Sequence, residues 1–155
     1  MIIKKLDITT VKPDINNRIL ITTNSVIRSD KRLVMGAGIA KYYRDNYRDL
    51  DLDFGLSARG LGPNYGIIES SKHEYLYGFQ TKVDWRDNST LEIIKRSLYL
   101  LDNLMRKERA TSFTTEAINW YITPPGCGLG NLKKQDVYPL IQSIIPDDNL
   151  IVCEL

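Results

Sequence analysis

The scarcities of this chain narrow it first. It has only two cysteines, Cys127 and Cys153, in 155 residues. That is too few for a disulfide framework, and free thiols in a reducing cytoplasm are the simpler expectation. A single histidine, His73, with no cysteine–histidine cluster argues against a zinc site, and nothing calls for another metal or a cofactor. A net charge of +2 is too small to argue for nucleic acid by itself. No apolar run approaches the length of a membrane span. The opening MIIKKLDITT lacks the apolar stretch and small-residue cleavage site of a secretory signal. These absences lead to the expectation of a cytoplasmic monomer with no membrane contact.

What is present is ordinary for a folded protein: 43% apolar and 26% charged residues, with a length that fits one domain over residues 1–155. Short runs rich in apolar and β-branched residues occur at 1–6, 18–23, 65–69, 74–80, 115–122 and 149–154. Several are apolar on both faces, as strands of a sheet covered by helices must be. Helical periodicity lies between them. Ile39, Ala40, Tyr43 and Tyr47 share one face of a helix over about 38–50. In STLEIIKRSLYLLDNLMRKE, Ser89 and Glu92 have capping-box spacing, and Leu91, Ile94, Leu98, Leu101 and Met105 form an apolar stripe. A third helix is expected over about 135–145, with Pro139 accommodated near its first turn. The segment DLDFGLSARGLGPNYG, with its glycines and Pro63, reads as an irregular loop. Interleaved strands and helices predict an α/β fold, a three-layer α/β/α sandwich.

Two glycine-rich loops stand out. In RLVMGAGIAKYYRDNY, Gly36 and Gly38 lie at the mouth of a helix, where unpaired amides and the helix dipole favour a phosphate. The familiar fingerprints fit poorly. Lys41 occupies the sixth position of G-x-G-x-x-G/A, and no Walker sequence is present. A plain tight turn explains this stretch equally well. The second loop, TPPGCGLGNLKKQDVYPLI, follows a strand with Gly126, Gly128 and Gly130 and then enters another helix. Open α/β sheets place ligands at the carboxyl ends of their strands. Two such loops facing each other there would hold a diphosphate between two sets of amides.

MGAGIA before an aromatic-containing basic helix, and later P-x-G-C-G-L-G before another helix, resemble the two ADP-ribose loops of a macro domain. The branch most resembled contains the terminal ADP-ribose protein glycohydrolase and the DarG-type DNA ADP-ribosyl glycohydrolase antitoxins. The likeness also takes in the opening strand with Asp7, the run YLYGFQTKVDWRDNSTLE and the closing strand LIVCEL. It implies a macro-domain-like mixed sheet, an ADP-ribose ligand and removal of ADP-ribose from a macromolecule, with DNA bases preferred slightly over protein carboxylates.

Site residues follow from the same resemblance. Asp7 would accept a hydrogen bond from the adenine amino group, although a carboxylate after a strand is also a common loop solubiliser. Met35, Gly36, Ala37, Gly38, Ile39 and Ala40 would wrap the distal ribose and one phosphate. Pro125, Gly126, Cys127, Gly128, Leu129 and Gly130 would close over the other. Asn24 would meet the distal ribose, yet residues 25–34 separate it from Met35 by more than the antitoxin pattern has, and a turn-forming asparagine competes. Lys82, in GFQTKVDWRD, corresponds to the lysine of the glycohydrolase branch, which attacks the anomeric carbon or stabilises the departing base. The bland alternative is a surface lysine ending a strand. Arg86 would bind a phosphate or pair with Asp87 or Glu92. The protein-directed enzyme carries an aspartate where this chain has Gly130, a departure that favours the DNA-type pattern. Asp84 and Asp87 are candidates to replace it. Two further readings stay open: a phosphatase acting on phosphorylated ADP-ribose, and a non-catalytic module binding ADP-ribose or a related nucleotide.

Overall fold

The six apolar runs form six strands, all but the second shorter than the run that predicts them: β1 (Ile2–Lys5), β2 (Asn17–Thr23), β3 (Ile67–Glu69), β4 (Leu76–Gln80), β5 (Asn119–Ile122) and β6 (Leu150–Glu154). The structure, a computed structural model, describes residues 1–155. The strands make a single sheet in the order β1-β6-β5-β2-β4-β3. All neighbours are parallel except β3, which runs antiparallel to β4 at one edge. β1 and β6, from opposite ends of the chain, lie side by side, with Ile3 opposite Val152.

Side chains alternating along each strand feed two separate cores. On one face Ile19, Ile21, Ile151 and Cys153 pack under Tyr43, Leu50, Phe54 and Ala58. On the other, Leu20, Leu150 and Val152 meet Ile94, Leu98, Leu101, Val137 and Ile141. The first set of partners belongs to helices α1 (Gly38–Asn46) and α2 (Leu50–Leu61), the second to α3 (Leu91–Thr111) and α4 (Lys134–Ile144). The molecule is therefore the three-layer α/β/α sandwich expected, built on a mixed sheet. No helix is long and apolar enough to cross a membrane.

Three expectations need correction. Residues 50–61 form α2, not an irregular loop. Leu50, Phe54 and Ala58 recur every fourth residue and are buried, and this stripe outweighs the cost of glycine in a helix. Gly55 is required by its neighbour. A Cβ there would stand 2.0 Å from the Lys31 carbonyl oxygen and 2.9 Å from the Leu33 nitrogen. Gly55→Ala is therefore expected to destabilise by about 3 kcal/mol, although alanine in an open helix would stabilise by about 1 kcal/mol. Urea unfolding checks the sign.

The second correction concerns α3. Thr90, not Ser89, is its N-cap, with Oγ1 accepting from the Ile93 amide at 3.3 Å. Ser89 is buried one residue earlier, and Leu91 lies outside the apolar stripe with 39% of its surface exposed. The third is Pro139, which sits inside α4 beyond its first turn. Val137 and Ile141, on the buried side of this helix, anchor it to the sheet, while Pro139 itself is exposed.

Residues 25–34 fold as a hairpin, with Ile27 bridged to Leu33 and the Val34 amide donating to the Val26 carbonyl. The hairpin is pinned to α2. The Leu33 amide donates to the Asp51 carbonyl at 2.9 Å, and Arg32 bonds Asp51 at 2.7 Å and Asp49 at 3.1 Å.

Candidate functional site

A cleft of about 1160 Å³ opens at the carboxyl ends of β2, β4 and β5. Its walls include Met35–Ala40 from the loop entering α1 and Gly126–Gly130 from the loop before α4, together with Asn24 and Lys82. The two glycine loops face one another. A Cβ built on Gly38 would stand 3.8 Å from Leu129 Cδ1, although the residues lie on opposite sides of the sheet's central strands in sequence.

Each loop presents unpaired main-chain donors. The amides of Gly36, Ala37, Gly38, Ile39 and Ala40 donate to no backbone carbonyl, and neither do those of Gly126, Gly128, Leu129 and Gly130. Ala37, the N-cap of α1, offers no side-chain capping bond, so the first amides of that helix stay free to meet an anion. Gly126, at φ 75°, turns the second loop in the left-handed region that glycine enters without strain.

The charges of the cleft point the same way. Lys82, Arg86 and Lys134 line it, and no aspartate or glutamate does. Arg86 is bound bidentately by Asp84, at 2.9 and 2.6 Å, rather than by Asp87 or Glu92. These bonds hold the Asp84 carboxyl down at about 2. Lys134 pairs with Glu154 at 2.9 Å. Lys82 is the lining cation with no carboxylate partner.

Lys82 is placed by β4 and by the strand beside it. The Thr81 amide donates to the Thr23 carbonyl and the Ser25 amide to the Val83 carbonyl, so the β2–β4 pairing continues past both strand ends. This brings Asn24 and Lys82 together. The buried Gln80 amide group supports the turn by donating to the Pro63 and Lys82 carbonyls at 2.7 and 3.2 Å. The Lys82 side chain is half-buried. Its Nζ donates to the Trp85 and Asp87 carbonyls at 3.4 and 3.2 Å. Trp85 lines the cleft with 51% of its surface exposed, and the Arg86 guanidinium lies 5.6 Å from its ring centre.

Asn24 is buried at the cleft and makes the turn that competed for it. Its Oδ1 accepts from the Val26 amide at 3.0 Å and its Nδ2 donates to the Val34 carbonyl at 2.9 Å. The side chain thus closes the base of the 25–34 hairpin just before Met35. Met35 is 2% exposed and packs in the core. Cys127 borders the cleft, where burial raises its thiol above the ordinary value, making it a poor nucleophile.

Two residues expected in the site lie outside its lining. Asp7 follows β1 at the sheet edge and caps a short 3-10 turn, accepting from the Thr9 amide at 3.0 Å and the Thr9 hydroxyl at 2.7 Å. Pro125 is buried, and Pro124 borders the cleft instead. Of the proposed replacements for the missing acid, neither Asp84 nor Asp87 lines the cleft. His73 is held elsewhere, with Nε2 2.7 Å from the Arg48 carbonyl. Sequence reasoning passed over Lys134, Thr123 and Leu155, which line the cleft. It also gave Ser89 a helix-capping task, whereas Ser89 lines the cleft with its hydroxyl buried and unpartnered.

The same architecture occurs in solved structures. The macrodomain of Mycobacterium tuberculosis DarG superposes with a TM-score of 0.75 at 21% identity, covering 99% of this chain and 97% of that one. This chain has the macrodomain fold. A second macrodomain, of Thermus aquaticus DarG, gives a TM-score of 0.75 at 20% identity over 99% of this chain and 97% of its own. Thermosipho africanus DarTG in complex with ADP-ribose gives 0.69 at 19% identity, over 90% of this chain and 38% of that one. No family model and no curated protein matches in sequence, so the likeness is one of fold.

Proposed function

We propose that the cleft binds ADP-ribose and that the chain is an ADP-ribosyl glycohydrolase, releasing ADP-ribose from a modified macromolecule. The observation that carries this is the pair of glycine loops presenting free amides across one cleft. Main-chain donors on two sides suit a diphosphate, whose oxygens need many hydrogen bonds and no particular side chain. A lining with three cationic side chains and no aspartate or glutamate suits the same dianion. The likeness to a DarTG structure holding ADP-ribose supports this ligand over other diphosphates.

Lys82 is the reacting group in this reading. With no aspartate or glutamate in the lining, the cleft has no acidic side chain to activate water directly. The Lys82 amine attacks the anomeric carbon of the distal ribose, and the glycosidic bond breaks with its electron pair leaving on the modified group. The amine nitrogen gives up a proton and the leaving group gains one. Water then hydrolyses the lysine–sugar adduct, restoring the amine and freeing ADP-ribose. The exposed Trp85 ring beside Lys82 favours a planar leaving group, such as a DNA base, over a protein carboxylate.

A non-catalytic ADP-ribose module is the second reading, favoured by the two carbonyls that hold Lys82 Nζ. An amine bound in this way braces its own loop. The phosphatase reading loses support, because its usual histidine or aspartate has no counterpart in the cleft lining. Incubation with ADP-ribosylated DNA and ADP-ribosylated protein, side by side, separates these outcomes. Release of ADP-ribose from the DNA ahead of the protein is expected. Binding of ADP-ribose without release from either would leave the module, and no binding would end both readings.

A further inference from the structure

We infer that the Ser89 hydroxyl is a hidden ligand contact, a hydrogen-bond donor to the phosphate held by the Gly126–Gly130 loop. This rests on the diphosphate reading of the cleft and adds a positioning residue that the glycine loops do not supply.

Ser89 has the sequence context of a helix cap but does not cap. Thr90 performs that task for α3 through its own hydroxyl. Ser89 is 4% exposed, and its Oγ, shielded from solvent, has no hydrogen-bond partner. A buried hydroxyl in that condition destabilises the free protein, and alanine would suit the position better. Yet the residue is held firmly. The Ser89 amide donates to the Gly130 carbonyl at 3.0 Å, and next to it Asn131 Nδ2 donates to Asn88 Oδ1 at 2.7 Å. Two bonds thus clamp the segment before α3 to the loop before α4.

The loop is shaped around this serine. A Cβ on Gly130 would stand 2.2 Å from Ser89 Oγ, and a Cβ on Gly126 would stand 3.0 Å from Ser89 Cβ. Ser89 is the nearest obstacle at Gly130, whereas at Gly126 it joins Ile94 and Leu132, each 2.8 Å from such a Cβ. The hydroxyl occupies the space from which a side chain at position 130 would start, in the loop whose Gly126 and Gly128–Gly130 amides are free. When the Ser89 side chain turns about χ1 toward the cleft that the residue lines, an anion drawn to those amides supplies the acceptor that Oγ lacks. A charge-assisted bond of this kind is among the stronger ones in proteins.

A hydroxyl kept for ligand rather than for fold should affect stability and affinity in opposite directions. Ser89→Ala is expected to raise the melting temperature of the free protein by about 2–4 °C. The same change is expected to weaken ADP-ribose binding about 10- to 100-fold by calorimetry. Unchanged affinity in the variant would overturn the inference while leaving the diphosphate reading in place. A variant less stable than the parent would also overturn it, by showing that the hydroxyl serves the fold. Failure of the parent protein itself to bind ADP-ribose would overturn both.

Discussion

Lys82→Ala is expected to abolish release of ADP-ribose from a modified macromolecule, by about 10³-fold or more, with little change in affinity for free ADP-ribose. The separation follows from geometry. The diphosphate is assigned to main-chain donors in the two glycine loops, none of which belongs to residue 82. The amine acts only where the bond to the leaving group breaks, so its removal acts on turnover rather than on capture. The variant also loses the bonds from Nζ to the Trp85 and Asp87 carbonyls, which loosens the loop carrying Trp85. Lys82→Arg provides the control, since a guanidinium can bond those carbonyls but is a very poor nucleophile. Single-turnover assays should show both variants inactive. Full activity in either would transfer the chemistry to another group.

Gly130→Asp is expected to lose ADP-ribose binding by about 100-fold or more and to gain no activity. The resemblance sets an aspartate of the protein-directed glycohydrolase against Gly130, so a simple swap would install its mechanism if there were room for it. The space does not exist. A Cβ at 130 would lie 2.2 Å from Ser89 Oγ, 2.6 Å from the Gly126 carbonyl oxygen and 2.7 Å from Ser89 Cβ. Rotating Ser89 relieves only the first of these contacts, and the carbonyl belongs to the loop that must hold the ligand. Substitution therefore displaces the loop itself. Gly128→Ala is the matched comparison, because its Cβ would meet nothing within 4 Å. In thermal unfolding, Gly128→Ala should match the parent while Gly130→Asp melts lower. Wild-type binding by Gly130→Asp would show that the loop gives way easily.

The sequence made the sheet legible because its central strands are buried on both faces, as the wholly buried β4 illustrates, although the edge strand β1 is largely exposed. The two loops were also legible, since glycines spaced so closely after a strand have few other uses. The α2 helix was not. Gly55, Gly60 and Pro63 gave its segment the composition of a loop, and the need for Gly55 arises from Lys31 on a different element. Ser89 misled for a related reason. Ser89 and Thr90 are adjacent potential caps, and local spacing favoured the one with Glu92 three residues on. Tertiary contact decided otherwise, by tying the Ser89 amide to Gly130. Asp7 shows what local pattern cannot reveal: that its Oδ1 is engaged by Thr9 at the sheet edge depends on the turn that follows β1.

The hairpin at 25–34 imposes one more constraint. Surface insertions usually drift in length because nothing rests on them. Here the tip residue Lys31 is wedged against the bare α-carbon of Gly55, and Asn24 ties the two ends of the insertion together right before Met35. Shortening this arm alone would leave a gap over α2 and withdraw the footing from the cleft-lining backbone at Met35–Ala40. The insertion and the helix beneath it can therefore be remodelled only as a matched pair.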